Sequence, residues 1–393
     1  MEILNNIRVL DFTRLLAGPY GTRILGDFGA EVIKVQSEKS SKGAEDNNSV
    51  YFRTWNRNKR SITLNMDHAE AREIARKLVA KSDVVIENFS PRVMTNWGLN
   101  YERLREIKQD IIMVSMSGMG QSGPWKNYVA FGPTIQSLAG LTFLTSDNKD
   151  SPAGPGYSYA DVVAGLYGAL AVLAALEYRN STGLGCFIDL SEYEAACTLL
   201  GPFFLDQIIN QRDILPQGNS SPYVTSAPHG CYPCLGKDRW CVIAVFKDDE
   251  WKALRDIMGD PSWAKDDNFS TSTGRKRYEA ELDRYIQEWT IQYRAENIVQ
   301  RLQEANIPSG VVQNAEDLAQ DPQLLARRYF REINNSVSGN IRTDRCPIRF
   351  GSKEEEAWKP SSMLGEDNQY VYHELLGFSE EVIKSHTENG IIE

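Results

Sequence analysis

The residue whose surroundings most invite chemistry is Asp161. It closes the turn Ala153-Gly154-Pro155-Gly156-Tyr157-Ser158-Tyr159-Ala160-Asp161, and no charged residue follows from Val162 to Leu176. An uncharged stretch of that kind predicts a helix buried on nearly all sides. Its apolar part, about fifteen residues before Glu177, is short of a membrane span, and Asn180-Ser181-Thr182-Gly183 is the expected C-cap. Asp161 then stands where solvent, a helix N-terminus and a packed core meet. Two roles suit it. As an N-cap its carboxylate would accept from the first free helix N–H groups. As a nucleophile it would be kept ionised by the helix dipole and aimed at an activated carbonyl. Nothing local decides between them.

Other candidates are weaker. Arg53, Arg57, Lys59 and Arg60 put four cations into eight residues beside Trp55, in a chain of net charge −10. They read either as a solvated charged face or as a phosphate site. Cys231-Tyr232-Pro233-Cys234 has redox or zinc spacing, but no second pair or suitably spaced histidine completes a tetrahedral set. His68, His229, His373 and His386 are scattered, so no metal site is expected. Gly118-Met119-Gly120-Gln121-Ser122-Gly123 satisfies G-x-G-x-x-G, yet Pro124 and Trp125 follow where a helix should open. It reads as a loop beside a site, and an NAD- or FAD-dependent oxidoreductase would rest on it alone.

The elements that must position Asp161 read as α/β. Ile7 to Phe12, Glu31 to Val35, Ile62 to Leu64, Asp83 to Glu87, Ile111 to Ser115 and Cys186 to Leu190 are predicted strands. Helices are predicted at Tyr20–Phe28, Ala69–Lys81 and Glu192–Leu205, an alternation that signals a parallel sheet. A linker at Gln211–Pro228 precedes a second α/β block, with helices at Asp248–Met258 and Arg277–Glu304. A length of 393 residues favours two domains, here 1–224 with 326–393, and 225–325. The tail from Gly351 ends in a helix near Ser379–His386. The acidic balance argues against nucleic acid as a partner. Met1 to Asn6 holds no signal-peptide core, so a cytoplasmic protein off the membrane is expected.

Assembled, these residues resemble the family III CoA-transferases, which include carnitine, formyl and bile-acid CoA-transferases and α-methylacyl-CoA racemases. The likeness lies in Val9-Leu10-Asp11-Phe12-Thr13 with Ala17-Gly18-Pro19, Gly29 to Val35, Asn58-Lys59-Arg60-Ser61 and Val85 to Phe89. It continues in Ala174 to Glu177 leading to Thr182-Gly183, and in Leu364 to Asn368 with Glu374 to Gly377. The order and spacing of these words make the match specific. The resemblance implies a large Rossmann-like domain built from both chain ends, a smaller α/β domain, and an interlocked homodimer. It implies that Asp161 is the nucleophile, with coenzyme A, as the acyl-CoA substrate, the only cofactor. CoA contacts are implied at Leu16, Ala17, Leu64, Asn65, Met66, Asp67, Asn88, Phe89, Ser90, Asn96, Val129, Ala130, Phe131 and Gly132.

Departures from the family pattern sharpen the expectation. Ser37 and Asn96 stand where formyl-CoA transferases use arginines, so the CoA phosphates are expected on Arg92 or on the Arg57–Arg60 cluster. Ser226 to Gly230 replaces the glycine-rich loop of those enzymes, which speaks against formyl-CoA and oxalate. Phe131 stands where racemases carry a histidine, and phenylalanine cannot take a proton. A non-catalytic subunit of a paired complex would lack the nucleophile. The implied reaction moves CoA from an acyl-CoA to a carboxylic acid through an aspartyl-CoA thioester. Phe131 and Gly132, with Tyr157, Tyr159 and Phe143 nearby, favour a hydrophobic acid; Arg239 reaching in would instead favour a dicarboxylate.

Overall fold

Six short runs of branched and aliphatic residues pair side by side, all parallel. They are β1 (Arg8–Asp11), β2 (Glu31–Gln36), β3 (Lys59–Thr63), β4 (Val84–Glu87), β5 (Ile112–Ser117) and β6 (Phe187–Ser191). Their spatial order is β3-β2-β1-β4-β5-β6, the doubly wound arrangement in which the chain reverses direction between β1 and β4. This computed structural model describes residues 3–148, 150–222, 225–335, 339–350 and 358–393. Tyr223 and Val224 of the expected linker, and 351–357 at the start of the expected tail, lie outside the described residues.

Register explains why both faces of the sheet are apolar. Ile33, Leu10, Val85 and Met113 are successive partners across four strands, and so are Val32, Val9, Val84 and Ile112. Neighbours along a strand point to opposite faces. The first row packs with residues of α3 (Ala69–Ala80) and with Val371, Tyr372, Ile391 and Ile392 near the chain end. The second row packs with α1 (Ala17–Asp27) and α8 (Tyr159–Thr182). Other helices are α2 (Val50–Asn56), α4 (Arg92–Asn96), α5 (Tyr101–Ile107), α6 (Gly132–Leu138), α7 (Leu141–Leu144), α9 (Glu192–Cys197) and α10 (Gly201–Asn210), with a further one at Glu380–Glu388 near the chain end.

Two compact units result. One holds Met1–Thr142, Gly154–Asp213 and Arg328–Glu393, so both chain ends build it. The other holds Phe143–Ala153 and Ile214–Arg327. Its three-stranded antiparallel sheet is β7 (His229–Pro233), β8 (Trp240–Ala244) and β9 (Ser309–Val311). Cys231 therefore sits in a strand, and the described residues contain no cluster able to hold a metal ion.

α8 ends where the Asn180-Ser181-Thr182-Gly183 cap is expected and departs from expectation at its start, which is Tyr159. It runs 24 residues, through Glu177 and Arg179, to Gly183 in the left-handed conformation. Arg179 is tolerated because its guanidinium meets Asp83 at 2.9 Å. The helix is long and apolar enough to cross a membrane by composition, but Ala164, Gly168, Ala169 and Val172 are buried along one face. Leu166, Leu170 and Leu173 stand exposed, as do Phe204, Ile208 and Ile209 of α10, which has no buried residue at all.

Candidate active site

Asp161 is not the cap of its helix. Ser158 holds the N-cap position, and Asp161 lies inside the first turn. What fixes that turn is a close crossing. A Cβ on Gly165 would fall 2.7 Å from the Ala17 carbonyl oxygen, and one on Gly21 would fall 2.9 Å from that of Gly165. Only glycine allows two helix backbones to approach so closely. Gly165 therefore rests on the first turn of α1, and Asp161 is one helical turn, about 6 Å, nearer the start of α8.

Its carboxylate is packed against backbone. A side chain on Gly132, at the start of α6, would overlap Asp161 Oδ2 and crowd Ser158 Oγ. Gln136, one turn further along α6 and buried, holds the two helices together by accepting from the Ala160 N–H at 3.3 Å. Burial pushes the Asp161 carboxyl up to about 6, against bonds from Ser158 and its own N–H that favour the anion. No lysine or arginine is among the groups that shift it. The macrodipole of the helix does not outweigh this loss of solvent. At pH 7 the group is mostly ionised yet poorly solvated, the state a carboxylate nucleophile needs.

Three residues that sequence reasoning passed over converge here. Tyr51 of α2 is pushed up to about 12 by burial first and then by Asp161. Glu45 accepts from the Leu15 N–H at 2.7 Å, holding the turn before α1. Glu192, first residue of α9, is buried and is also influenced by Asp161. None carries a distinctive sequence signal; Glu192 reads as an ordinary acid in a helix's first turn.

The residues expected at CoA fall into groups. Leu16 and Ala17 are buried, but their backbone flanks the crevice between β1 and β4, where doubly wound sheets bind ligands. Asn88 bridges that crevice: its Oδ1 accepts from the Arg14 N–H at 2.7 Å and its Nδ2 donates to the Arg14 carbonyl at 2.9 Å. Phe89 lies under the Arg14 guanidinium and edge-on to Trp97. Its N–H is held by Glu87 Oε2 at 2.7 Å. Ser90, Arg92 and Asn96 are exposed just beyond, and Arg92 makes no hydrogen bond or ion pair among the described residues.

The segment after β3 is different. Leu64 and Met66 are core residues, and Asn65 is buried with its N–H bonded to the Ile391 carbonyl and its Nδ2 to that of Gly390. Asp67 is exposed and paired with Lys39 at 2.8 Å. Gly132 is buried beneath Asp161, whereas Val129 and Phe131 are exposed and Ala130 half-buried.

The cationic cluster is corrected outright: it is neither a solvated face nor free for phosphate. Arg57 is buried between Asp27 at 2.6 Å and Asp344 at 2.8 Å. Lys59 is buried against Asp11 at 3.1 Å, and Arg60 bridges Glu31 and Asp367 at 2.9 Å each. Buried charges demand partners, and each of these already has them. Burial alone would raise the Asp11 carboxyl, but Lys59, Lys34 and the Thr13 and Thr22 hydroxyls together hold it down at about 2. Arg239 is likewise engaged within its own unit, meeting Glu296 and Asp317 at 2.7 Å each.

Comparison with known proteins bears on the family and the fold. The chain is 30% identical over 385 residues to the succinyl-CoA–D-citramalate CoA-transferase of Chloroflexus aurantiacus, covering 96% of this chain and 95% of that one. It is 31% identical to a Mycobacterium tuberculosis protein named "Probable CoA-transferase", covering 95% of this chain but spanning about half (48%) of that relative's length. The crystal structure of a CaiB/BaiF family protein from Brucella suis superposes with a TM-score of 0.87 at 29% identity, over 95% of this chain and 99% of that one. Residues 4–368 match the family described as CoA-transferase family III. Matched over nearly its whole length by that family and by these relatives, this chain belongs to the family III CoA-transferases.

Proposed function

We propose that the chain moves CoA from an acyl-CoA to a free carboxylic acid by a covalent relay through Asp161. Exchange of one thioester for another needs little driving force; the difficulty is that a carboxylate is a poor nucleophile and water must be excluded. Asp161 attacks the thioester carbonyl, the C–S bond breaks, and CoA leaves as thiolate from an acyl–aspartyl anhydride. The thiolate then attacks the Asp161 carbonyl carbon, releasing the donor acid and leaving an aspartyl-CoA thioester. The acceptor carboxylate reverses both steps, and no net proton is consumed. The observation that carries this reading is the Asp161 carboxylate, desolvated against Gly132 and, among the described residues, unpaired with any cation.

The same observation bears on substrate. Among the described residues no lysine or arginine shifts Asp161, and a second carboxylate on the acyl group would be costly to desolvate without a partner. Exposed Phe131, Tyr157 and Tyr159 instead offer apolar surface. We therefore infer a hydrophobic or aromatic acid as acceptor, in the cytoplasm where acyl-CoA is made. Turnover with succinyl-CoA or acetyl-CoA as donor and a panel of acids as acceptors tests this. Aromatic and aliphatic monocarboxylates should lead; a small dicarboxylate ahead of all of them by tenfold would overturn it. The chain's relative that uses succinyl-CoA and D-citramalate makes that contest a real one.

A second copy of the chain is the occupant we infer for the exposed apolar faces of α8 and α10. Light scattering should read twice the 44.3 kDa chain mass, and a reading of one chain mass would contradict it.

A further inference from the structure

Glu192 is a buried carboxyl with nothing to hold it. Its exposure is 6%, and it makes no hydrogen bond or ion pair among the described residues. It does not cap α9, because Ser191 does so by accepting from the Glu194 N–H at 3.2 Å. Its neighbours Ala195 and Ala196 are buried apolar residues, so packing alone would be better served by leucine. A buried polar group without a partner calls for a use.

α9 packs with α6, α8, β6 and the turn Thr198–Leu200, and of the last two only β6 carries an ionisable residue, Asp189. α6 contributes no ionisable residue; α8 presents Asp161, with Tyr159 in the same turn; α9 itself carries Tyr193, Glu194 and Cys197. Only Asp161 acts on Glu192 as a charge. Burial first, and that charge second, push the Glu192 carboxyl up to about 8, while Asp161 stands at about 6. Near pH 7 one carboxyl of the pair is the anion and the other still carries its proton. Environments that drive two carboxyls apart in this way assign them different tasks.

We propose that Glu192 is a further catalytic residue of this site, a hydrogen-bond donor to the acyl oxygen while that acyl group is bonded to Asp161. This rests on the reading of Asp161 as nucleophile. As Asp161 Oδ bonds to the thioester carbon, the carbonyl π pair moves onto its oxygen. That oxyanion accepts the Glu192 O–H hydrogen bond without taking the proton. When the C=O bond re-forms, the C–S pair leaves on sulfur, and Glu192 is unchanged. Gly132 contributes by leaving room: any side chain there would collide with Asp161.

The test compares Glu192→Gln and Glu192→Leu in the full chain, with succinyl-CoA as donor and the best acid of the panel as acceptor. Glutamine keeps a donor of the same size and cannot titrate; leucine fills the space without donating. Loss of one such donor costs on the order of 10²–10³ in kcat. Glu192→Leu should therefore fall by about that factor in kcat with KM for acyl-CoA changed less than about threefold, while Glu192→Gln stays within about tenfold of wild type. Wild type should decline in kcat above about pH 8, where the second carboxyl ionises beside Asp161, and Glu192→Gln should lose that decline. Removing an unpartnered buried carboxyl should leave the leucine variant at least as heat-stable as wild type, so its inactivity cannot come from unfolding. Full activity in Glu192→Leu, or equal loss in both variants, overturns the proposal. Activity surviving in Asp161→Ala would instead overturn the nucleophile beneath it.

Discussion

At the scale of single residues, the account turns on a carboxylate held where it is uncomfortable. A raised carboxyl means that the folded state binds a proton the unfolded chain releases, so stability falls as pH rises from about 4 through 6. Asp161→Asn removes that liability without altering size. It should stabilise the protein by about 1–3 kcal/mol at pH 7 and by almost nothing at pH 3.5, while abolishing transfer. Urea unfolding at the two pH values measures it. An equal change at both would mean that the carboxylate is not strained by burial. The cap role suggested by sequence predicts the opposite sign, a loss of about 1 kcal/mol. Ser158 holding the cap position is why the structure favours a gain.

Between residues and the whole lie the elements, where the sequence was read well in places and poorly in others for physical reasons. Strands and the α8 region were legible because periodicity and the glycine-proline turn are local signals. The end of α8 was legible too, in Thr182-Gly183; what was not is how Arg179 is held, by Asp83, 96 positions away. The expected helix Glu192–Leu205 is interrupted by the tight turn Thr198–Leu200, and the chain restarts at Gly201-Pro202. That dipeptide was the available signal. The cationic cluster misled because Asp344 and Asp367, which neutralise Arg57 and Arg60, lie some 300 residues further along. A consequence follows for β3. Lys59→Met should destabilise by about 3–5 kcal/mol, because it strands Asp11 in the core. Arg92→Ala on α4 should leave stability alone and raise KM for acyl-CoA several-fold, an effect that shrinks as salt rises. Steady-state kinetics and thermal unfolding on both variants separate the roles. A KM effect for Lys59 in the folded enzyme, with none for Arg92, would reverse the assignment.

For the whole molecule, the doubly wound sheet does two things at once. Its switch point makes a crevice bridged by Asn88, and its covering helices α1 and α8 bring the first turn of α8 to the rim of that crevice. CoA bound in the crevice would thus present its thioester near Asp161, which is how a fold shared by many functions comes to perform this one. The most direct measurement is chemical. The intact protein is incubated with succinyl-CoA, then quenched with hydroxylamine, and its peptides are mapped by mass spectrometry. An acyl–aspartyl anhydride or aspartyl-CoA thioester is cleaved by hydroxylamine to an aspartyl hydroxamate. The account predicts that hydroxamate at Asp161, dependent on the acyl-CoA and absent from Asp161→Ala, which should also be inactive. Turnover without hydroxamate at Asp161, or hydroxamate at another carboxylate, would contradict it.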